Sequence, residues 1–451
     1  MLDDIGQIFD ASVLNTADTI AVAIAIVMTI YMLVLLIPDA YLMAARRTSG
    51  TPPVVSPARP RRHAETRPLV AVQLAIYNEP TLAIGAIRAL AALAWPRDRL
   101  DLMVLDDSTD DTTTQIQAEI AALQEQGIPI RLIRRSHRTE YKAGALRQSL
   151  AWTDAQYIAI FDVDYRPDPD FLARMMPALL ANPEAGFAQA RLTYHNRDQN
   201  WLTRAQAIEL DMHADFDQRL RAESGLPWFF NGTCGIWRRA AIEAAGGWSG
   251  RSLVEDQDLS YRAFTLGWTG CRVDDVRVAG ELPSDLRALK CQRQRWAAGS
   301  SQMLRFVPTG LFARLSVLQS CIFGIGILAH GTLVFTIAAF VLLAAATAAA
   351  GLPHAWLVAA LLGAALTLLF WTKNICAALA ILHTGRRPDL GFAADIVAMW
   401  AMELRLLASN GRAQIKGLLR ANLKFKRTPK LGDAAAKPEI RAAYVSTYPA
   451  E

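Results

Sequence analysis

The sequence predicts an α/β fold, a mainly parallel sheet covered by helices, joined to apolar helices that cross a membrane. Three features carry that prediction. Between Pro68 and Arg314, short β-type runs alternate with longer helical patterns, as in a sheet whose parallel strands are linked by crossover helices. Outside that block, Thr19 to Pro38 and Leu315 to Thr372 contain no Asp, Glu, Lys or Arg. Three of the expected strands also end on polar triplets, Tyr77-Asn78-Glu79, Asp106-Asp107-Ser108 and Asp162-Val163-Asp164. In open parallel sheets ligands bind beyond the carboxyl ends of the strands, so these triplets mark the candidate site.

Residues 1–47 read as an N-terminal anchor. Its apolar run is long enough for ~30 Å of hydrocarbon. The flank before it is acidic (Asp3, Asp4, Asp10, Asp18), which argues against a cleaved signal peptide. Arg46 and Arg47 follow it and place the cytoplasm after the helix, with the N-terminus outside. Residues 48–68 form a linker rich in proline and arginine. The soluble block is expected at 69–284, with strands at Leu69–Ile76, Leu102–Leu105, Ile130–Ile133 and Tyr157–Phe161. Helices are expected from Thr81, Asp111, Ala143 and Asp170.

Residues 285–314 read as an interfacial helix region, and 315–385 as two spans, roughly 323–350 and 355–382, broken at Gly351-Leu352-Pro353-His354. Residues 386–451 hold a last apolar stretch, Leu390 to Leu407, that carries Asp395, Glu403 and Arg405. A fourth span would put the following basic residues, Arg412 to Lys430, outside. A helix in the cytoplasmic interface with its basic tail on anionic lipid is the preferred reading. The expected location is therefore a multi-pass plasma (inner) membrane protein with the soluble block on the cytoplasmic side. Small residues in the spans permit the close packing a homo-oligomer would use.

Composition narrows the function. With 52% of its 451 residues hydrophobic and 20% charged, the chain has enough apolar side chain to exclude intrinsic disorder. The net charge of +5 lacks the interleaved basic and aromatic residues of a nucleic-acid surface. Five scattered cysteines with no Cys-x-x-Cys pair give no zinc site or disulfide framework. No Gly-x-x-x-x-Gly-Lys loop is present, and no Gly-x-Gly-x-x-Gly follows the first strand.

The remaining polar residues suggest diphosphate chemistry. Asp162 and Asp164 at a strand end suit Mg²⁺ or Mn²⁺ bridged to a diphosphate, although Asp-x-Asp alone more often marks a solvated loop. Asp106-Asp107 adds carboxylates that repel unless a cation or ligand compensates. Lys142 opens a helix, where its ammonium and the helix N-terminus both favour phosphate. Glu255-Asp256 begins another helix. Acids there commonly serve as caps; the functional reading makes one of them a general base for an acceptor hydroxyl. Gln292, Arg295 and Trp296 share a helix face at i, i+3, i+4. They form either a plain membrane anchor or a sugar platform with an arginine for diphosphate.

Taken in order, Asp106-Asp107, Asp162-x-Asp164, Glu255-Asp256 and Gln292-x-x-Arg295-Trp296 resemble the successive motifs of family 2 glycosyltransferases. That family has a GT-A fold and includes cellulose, chitin, hyaluronan and mannan synthases. The wording is most similar to plant mannan and glucomannan synthases and their bacterial relatives, at Val104–Asp110, Tyr141–Leu146, Phe230–Thr233, Glu281–Ser284 and Phe425–Lys430. The resemblance implies an inverting, metal-dependent hexosyltransferase taking a UDP- or GDP-sugar.

On that resemblance Asn78, Glu79, Asp106, Asp107, Lys142 and Asp162 bind the donor nucleotide, and Asp162 and Asp164 the metal. Asp256 is the base, and Glu255, Gln292, Arg295 and Trp296 hold diphosphate and acceptor. Val254 stands where cellulose synthases carry threonine, and Asn231-Gly232-Thr233 differs from their Cys-Gly-Ser, which weakens a cellulose product. The expected product is a β-linked mannan or glucan. The alternatives are a glycolipid, built on ceramide or diacylglycerol, and a non-catalytic scaffold. Acceptor shape is expected to depend on residues around Tyr194, His195 and Asp211–Asp217.

Overall fold

The computed structural model describes residues 18–26, 29, 67–328, 332–349, 351–352, 354–383, 390–420, 423–425 and 427–428. Its centre is a seven-stranded sheet in the order β3-β2-β1-β4-β6-β5-β7. The strands are β1 (Val70–Ile76), β2 (Leu100–Asp106), β3 (Ile130–Arg134), β4 (Tyr157–Asp162), β5 (Ala185–Tyr194), β6 (Gly235–Arg238) and β7 (Thr269–Gly280). Only β6 runs antiparallel to its neighbours. The expected mainly parallel α/β sheet is therefore present.

Register sets the position of the site. β1 pairs Ile76 with Asp106 of β2 and Ala75 with Asp162 of β4, so the three polar strand ends lie level along one edge. Alternation splits the core between the two faces. Val70, Val72, Leu74 and Phe161 pack under the helices Ala83–Ala91, Thr112–Glu125 and Phe171–Ala181. Ala71, Met103, Ile158, Trp237 and Trp248 pack under the helix Tyr141–Ser149 and the helix Glu255–Thr265. Crossover helices entering over the carboxyl edge bring Lys142 and Glu255-Asp256 to it.

Two longer helices are fixed by caps. The Asn200 side chain accepts from the Leu202 and Thr203 amides at 2.9 and 3.0 Å, starting the helix Trp201–Met212. That helix runs on without a break into a π-helical turn, His213–Gln218. Asp285 accepts from the amides of Arg287 and Ala288 and starts Leu286–Phe306, the helix of Gln292, Arg295 and Trp296.

The segment expected to lie on the membrane surface is one long helix, Leu390–Leu419. It buries Met399, Met402 and Leu406 against Leu202, Ala205, Ile208 and Leu289 of the two capped helices. Asp395 pairs with Arg204 at 3.1 Å. At Gly417 an added Cβ would strike the Ala298 carbonyl oxygen, which explains how closely this helix approaches Leu286–Phe306. Leu390, Val397 and Leu404 remain exposed.

The expected spans fall on helices Val317–Leu328, Thr332–Ala349 and Ala355–His383. Residues 18–26 and 29 are also helical, while residues 27–28 and 30–38 of the first span and residues 48–66 of the linker lie outside the described residues. His354, at the turn between the last two span helices, meets Asp18 with Nδ1 and Oδ2 2.6 Å apart. Counting only the described residues, no helix is long and apolar enough to cross a membrane, so the expected spans gain no support from the structure.

Candidate active site

One cavity of 630 Å³ opens over the carboxyl edge of the sheet. Its lining includes Glu79, Asp107, Lys142, Asp162, Asp164, Glu255, Asp256, Gln292, Arg295 and Trp296. Ten of the twelve residues expected at the site thus line one cavity. Asn78 and Asp106 are not part of the lining. Asp106 is buried and braces the loop, accepting from the Ser108 amide at 2.9 Å and the Thr113 hydroxyl at 2.7 Å. Asn78, with φ of 55°, ties the same loop by accepting from the Thr109 amide at 2.8 Å. Their side chains hold the two strand ends together.

Lys142 is the centre of the charged end. Its Nζ donates to Asp162 Oδ1 at 2.6 Å and to the Gly232 carbonyl at 2.7 Å, and stands 3.9 Å from Glu255 Oε1. Burial opposes its charge, but Asp162 and Glu255 outweigh burial and hold the ammonium above the usual lysine value. Asp256 is instead driven toward its neutral form. Burial first, then the Glu255 carboxylate, push its carboxyl up to about 7, although the Gln257 amide donates to it at 2.8 Å. Glu255-Asp256 therefore holds one acid that exchanges a proton near neutrality, which a general base requires.

Gly232 keeps this geometry open. Its φ is +77°, and a Cβ there would lie 2.9 Å from Asp256 Oδ2 and 3.7 Å from Lys142 Nζ. Gly232→Ala should cost about 1–2 kcal/mol in backbone strain and displace Asp256. Initial rates should fall at least ~tenfold, with a smaller change in the thermal unfolding midpoint. A variant of full activity would show that this contact does not set the Asp256 position.

Several lining residues were given no role at the site by the sequence. Arg138 lies over the Tyr77 ring at 3.4 Å and the Tyr141 ring at 4.9 Å. Asp107 is held by Arg135, whose Nε donates to Oδ1 at 2.9 Å. The run Arg134-Arg135-Ser136-His137-Arg138, which begins on the last residue of β3, was the available signal. Phe425 packs on Tyr141 at 5.4 Å and under Arg295 at 4.7 Å. Arg427 pairs with Glu79 at 2.6 Å. This corrects the lipid-facing role expected of Arg427, because a carboxylate at the end of β1 offers it a nearer, partly buried partner.

Among the described residues no group of three His, Cys, Asp or Glu side chains is placed to hold a metal ion. The cavity does offer the carboxylates of Asp162 and Asp164. Mg²⁺ and Mn²⁺ at diphosphate sites are commonly held by one or two carboxylates, with phosphate oxygens and water completing the shell, and this donor set fits that pattern.

A family model described as glycosyl transferase family group 2 matches residues 157–382. Glucomannan 4-beta-mannosyltransferase 2 of Arabidopsis thaliana is 43% identical over 242 residues, which cover 53% of this chain and 45% of that protein. Glucomannan 4-beta-mannosyltransferase 1 of Cyamopsis tetragonoloba is 39% identical, over 53% of this chain and 46% of its own. The chain thus spans somewhat under half the length of these curated relatives. Among solved structures, mannosyltransferase PcManGT from Pyrobaculum calidifontis, in complex with GDP-Man and Mn²⁺, superposes with a TM-score of 0.54. It is 22% identical and the match covers 85% of this chain and 98% of that one, a likeness of fold.

Proposed function

Because the chain belongs to glycosyl transferase family group 2, we propose that it transfers a hexose from a nucleotide-diphosphate sugar to a growing β-linked glycan of mannan or glucomannan type. The observation that carries this reading is the placing of Asp256 on one cavity with the Lys142–Asp162 pair. A base for the incoming hydroxyl and a cation for the outgoing diphosphate then face the same reacting carbon. The names of the relatives favour mannose as the sugar and a glycan over a lipid as the acceptor.

In this mechanism Asp256 takes the proton of the acceptor hydroxyl as its oxygen attacks the anomeric carbon. The bond to the diphosphate breaks on the opposite side, turning an α-linked donor into a β-linkage. Lys142 and Arg295 stabilise the negative charge that develops on the leaving diphosphate. Asp162 and Asp164 would hold Mg²⁺ or Mn²⁺ together with that diphosphate, and the ion supplies further charge neutralisation there. Trp296 gives the acceptor sugar a flat apolar face.

The membrane layout belongs to the same proposal. The apolar segments at 19–38, 323–350 and 355–382 anchor the domain with its cavity on the cytoplasmic side. The exposed row Leu390, Val397, Leu404 rests at the lipid interface.

Product analysis tests the reading. Protein in lipid nanodiscs with Mn²⁺ or Mg²⁺ should convert labelled GDP-mannose, or UDP-glucose, into polymer that a β-mannanase or β-glucanase degrades. A chelator should abolish the reaction and added ion restore it. Label confined to the organic phase would instead make the product a glycolipid, and chelator-resistant synthesis would remove the metal from the mechanism.

A further inference from the structure

The cavity has a second polar cluster that the mechanism above does not use. It is built on the π-helical turn His213–Gln218, and π-turns within helices are frequent at functional sites. Asp217 holds both neighbours there: His213 Nδ1 is 3.2 Å from Oδ2, and Arg221 Nε donates to Oδ1 at 2.6 Å. All three residues line the cavity.

Aromatic rings stand beside them. Phe229 stacks on His213 with centroids 5.7 Å apart, Tyr261 meets Phe229 edge-on at 6.3 Å, and Phe323 meets Tyr261 edge-on at 4.8 Å. The cluster is close to the reaction centre. Tyr261 lies on the helix that Glu255-Asp256 begins, and its hydroxyl feels the charges of Arg221, Asp217 and Asp256 together.

We propose that His213, Asp217 and Arg221, facing Phe229, Tyr261 and Phe323, form a subsite for a pyranose ring of the acceptor glycan, beyond the sugar that Asp256 deprotonates. This proposal rests on the glycosyltransferase reading above. A sugar ring presents apolar C–H faces and a rim of neighbouring hydroxyls. An aromatic wall takes the faces, and adjoining carboxylate, imidazole and guanidinium groups offer acceptors and donors side by side for the rim. Burial opposes the charge of Asp217, but Arg221 and His213 hold its carboxyl well below the usual range, so it remains an acceptor at any working pH.

The turn is also fixed to the loop that carries Asn231 and Gly232. Gln218 Nε2 donates to Asn231 Oδ1 at 2.7 Å, next to Gly232, whose carbonyl accepts from Lys142. A ring seated here is thereby placed in register with the donor end.

The same i, i+4 pairs would also arise from a clamp that serves only to stabilise the helix, and kinetics separate the two. Full-length Asp217→Asn and His213→Ala protein in nanodiscs would be titrated with a soluble β-linked manno-oligosaccharide and, separately, with donor. Each substitution should raise the acceptor KM at least ~tenfold while the donor KM stays within about twofold. Gly326→Ala guards against simple misfolding, because it removes no polar group and leaves His213 and Asp217 unaltered while its Cβ, 2.8 Å from Arg221 Nη2, shifts the guanidinium. It should raise the acceptor KM in the same selective way. Transfer by the wild type with acceptor KM unmoved in all three variants, or with both KM values raised equally, would overturn the subsite alone. No transfer by the wild type with any donor would overturn the assigned activity and the subsite with it.

Discussion

Asp256→Asn should lower glycosyl transfer by about 10²–10⁴-fold while leaving nucleotide affinity within a few-fold. Asparagine has the shape of the carboxylate and its oxygen can still accept from the Gln257 amide, so the start of the helix is preserved. The lost property is the ability to take a proton. The wild-type enzyme should show the same dependence in its pH profile. Burial and the Glu255 carboxylate both favour the protonated form of Asp256 and push it up to about 7.

The sign follows directly. Below that value Asp256 carries a proton and cannot act as base, so kcat/KM should fall ~tenfold for each pH unit on the acid side. Above it the limb should level off. In Asp256→Asn the residual rate should lose this acid limb. Rates from initial-velocity assays between pH 5 and 9, with nucleotide affinity from calorimetry, check both halves. A variant whose loss of rate is matched by a loss of nucleotide affinity would reassign Asp256 to donor recognition.

Much of this site was legible in the sequence because parallel strands of one sheet end at one edge. Once Leu69–Ile76, Leu102–Leu105 and Tyr157–Phe161 read as strands, their acidic ends had to be neighbours. Sequence gave no way to tell which acids face the cavity. Asp106 and Asp107 are adjacent in the chain, yet one is turned inward to the Ser108 amide and Thr113 hydroxyl while the other lines the cavity. That choice depends on strand phase and loop hydrogen bonds rather than on residue type.

Contacts between distant segments were also hidden. Lys142 meets a carbonyl 90 residues further on, and Arg427 returns from beyond the last long helix to pair with Glu79. The π-turn carries no compositional mark, since His213–Gln218 reads as ordinary helix and its extra residue appears only in the backbone path. The amphipathic reading of Leu390–Leu407 captured an apolar helix, but its periodicity could not show that one stripe is taken by Leu202, Ile208 and Leu289.

Lys142→Met should reduce kcat by about 10²–10³-fold, raise the donor KM, and move the acid limb of the pH profile upward. The three effects share one cause. With the ammonium gone, Asp162, Glu255 and Asp256 face one another without the cation that lies 2.6 Å from the first and 3.9 Å from the second. Lys142 lowers the Asp256 pKa, so its removal raises that pKa further and more of the enzyme is inactive at neutral pH. The leaving diphosphate loses its fixed counter-charge at the same time, so kcat stays low even at a pH where Asp256 is ionised.

Lys142→Arg separates the two contributions. A guanidinium keeps the positive charge and should return the acid limb toward its original position. Its planar fork cannot reproduce a compact ammonium donating to both Asp162 and the Gly232 carbonyl, so kcat should recover only in part. If Lys142→Met lowered only the thermal unfolding midpoint, with kcat and the pH limb unchanged, the residue would be a structural tie between the strand end and the Gly232 loop. The charge needed at the diphosphate would then have to come from Arg295, the other cation assigned to that group.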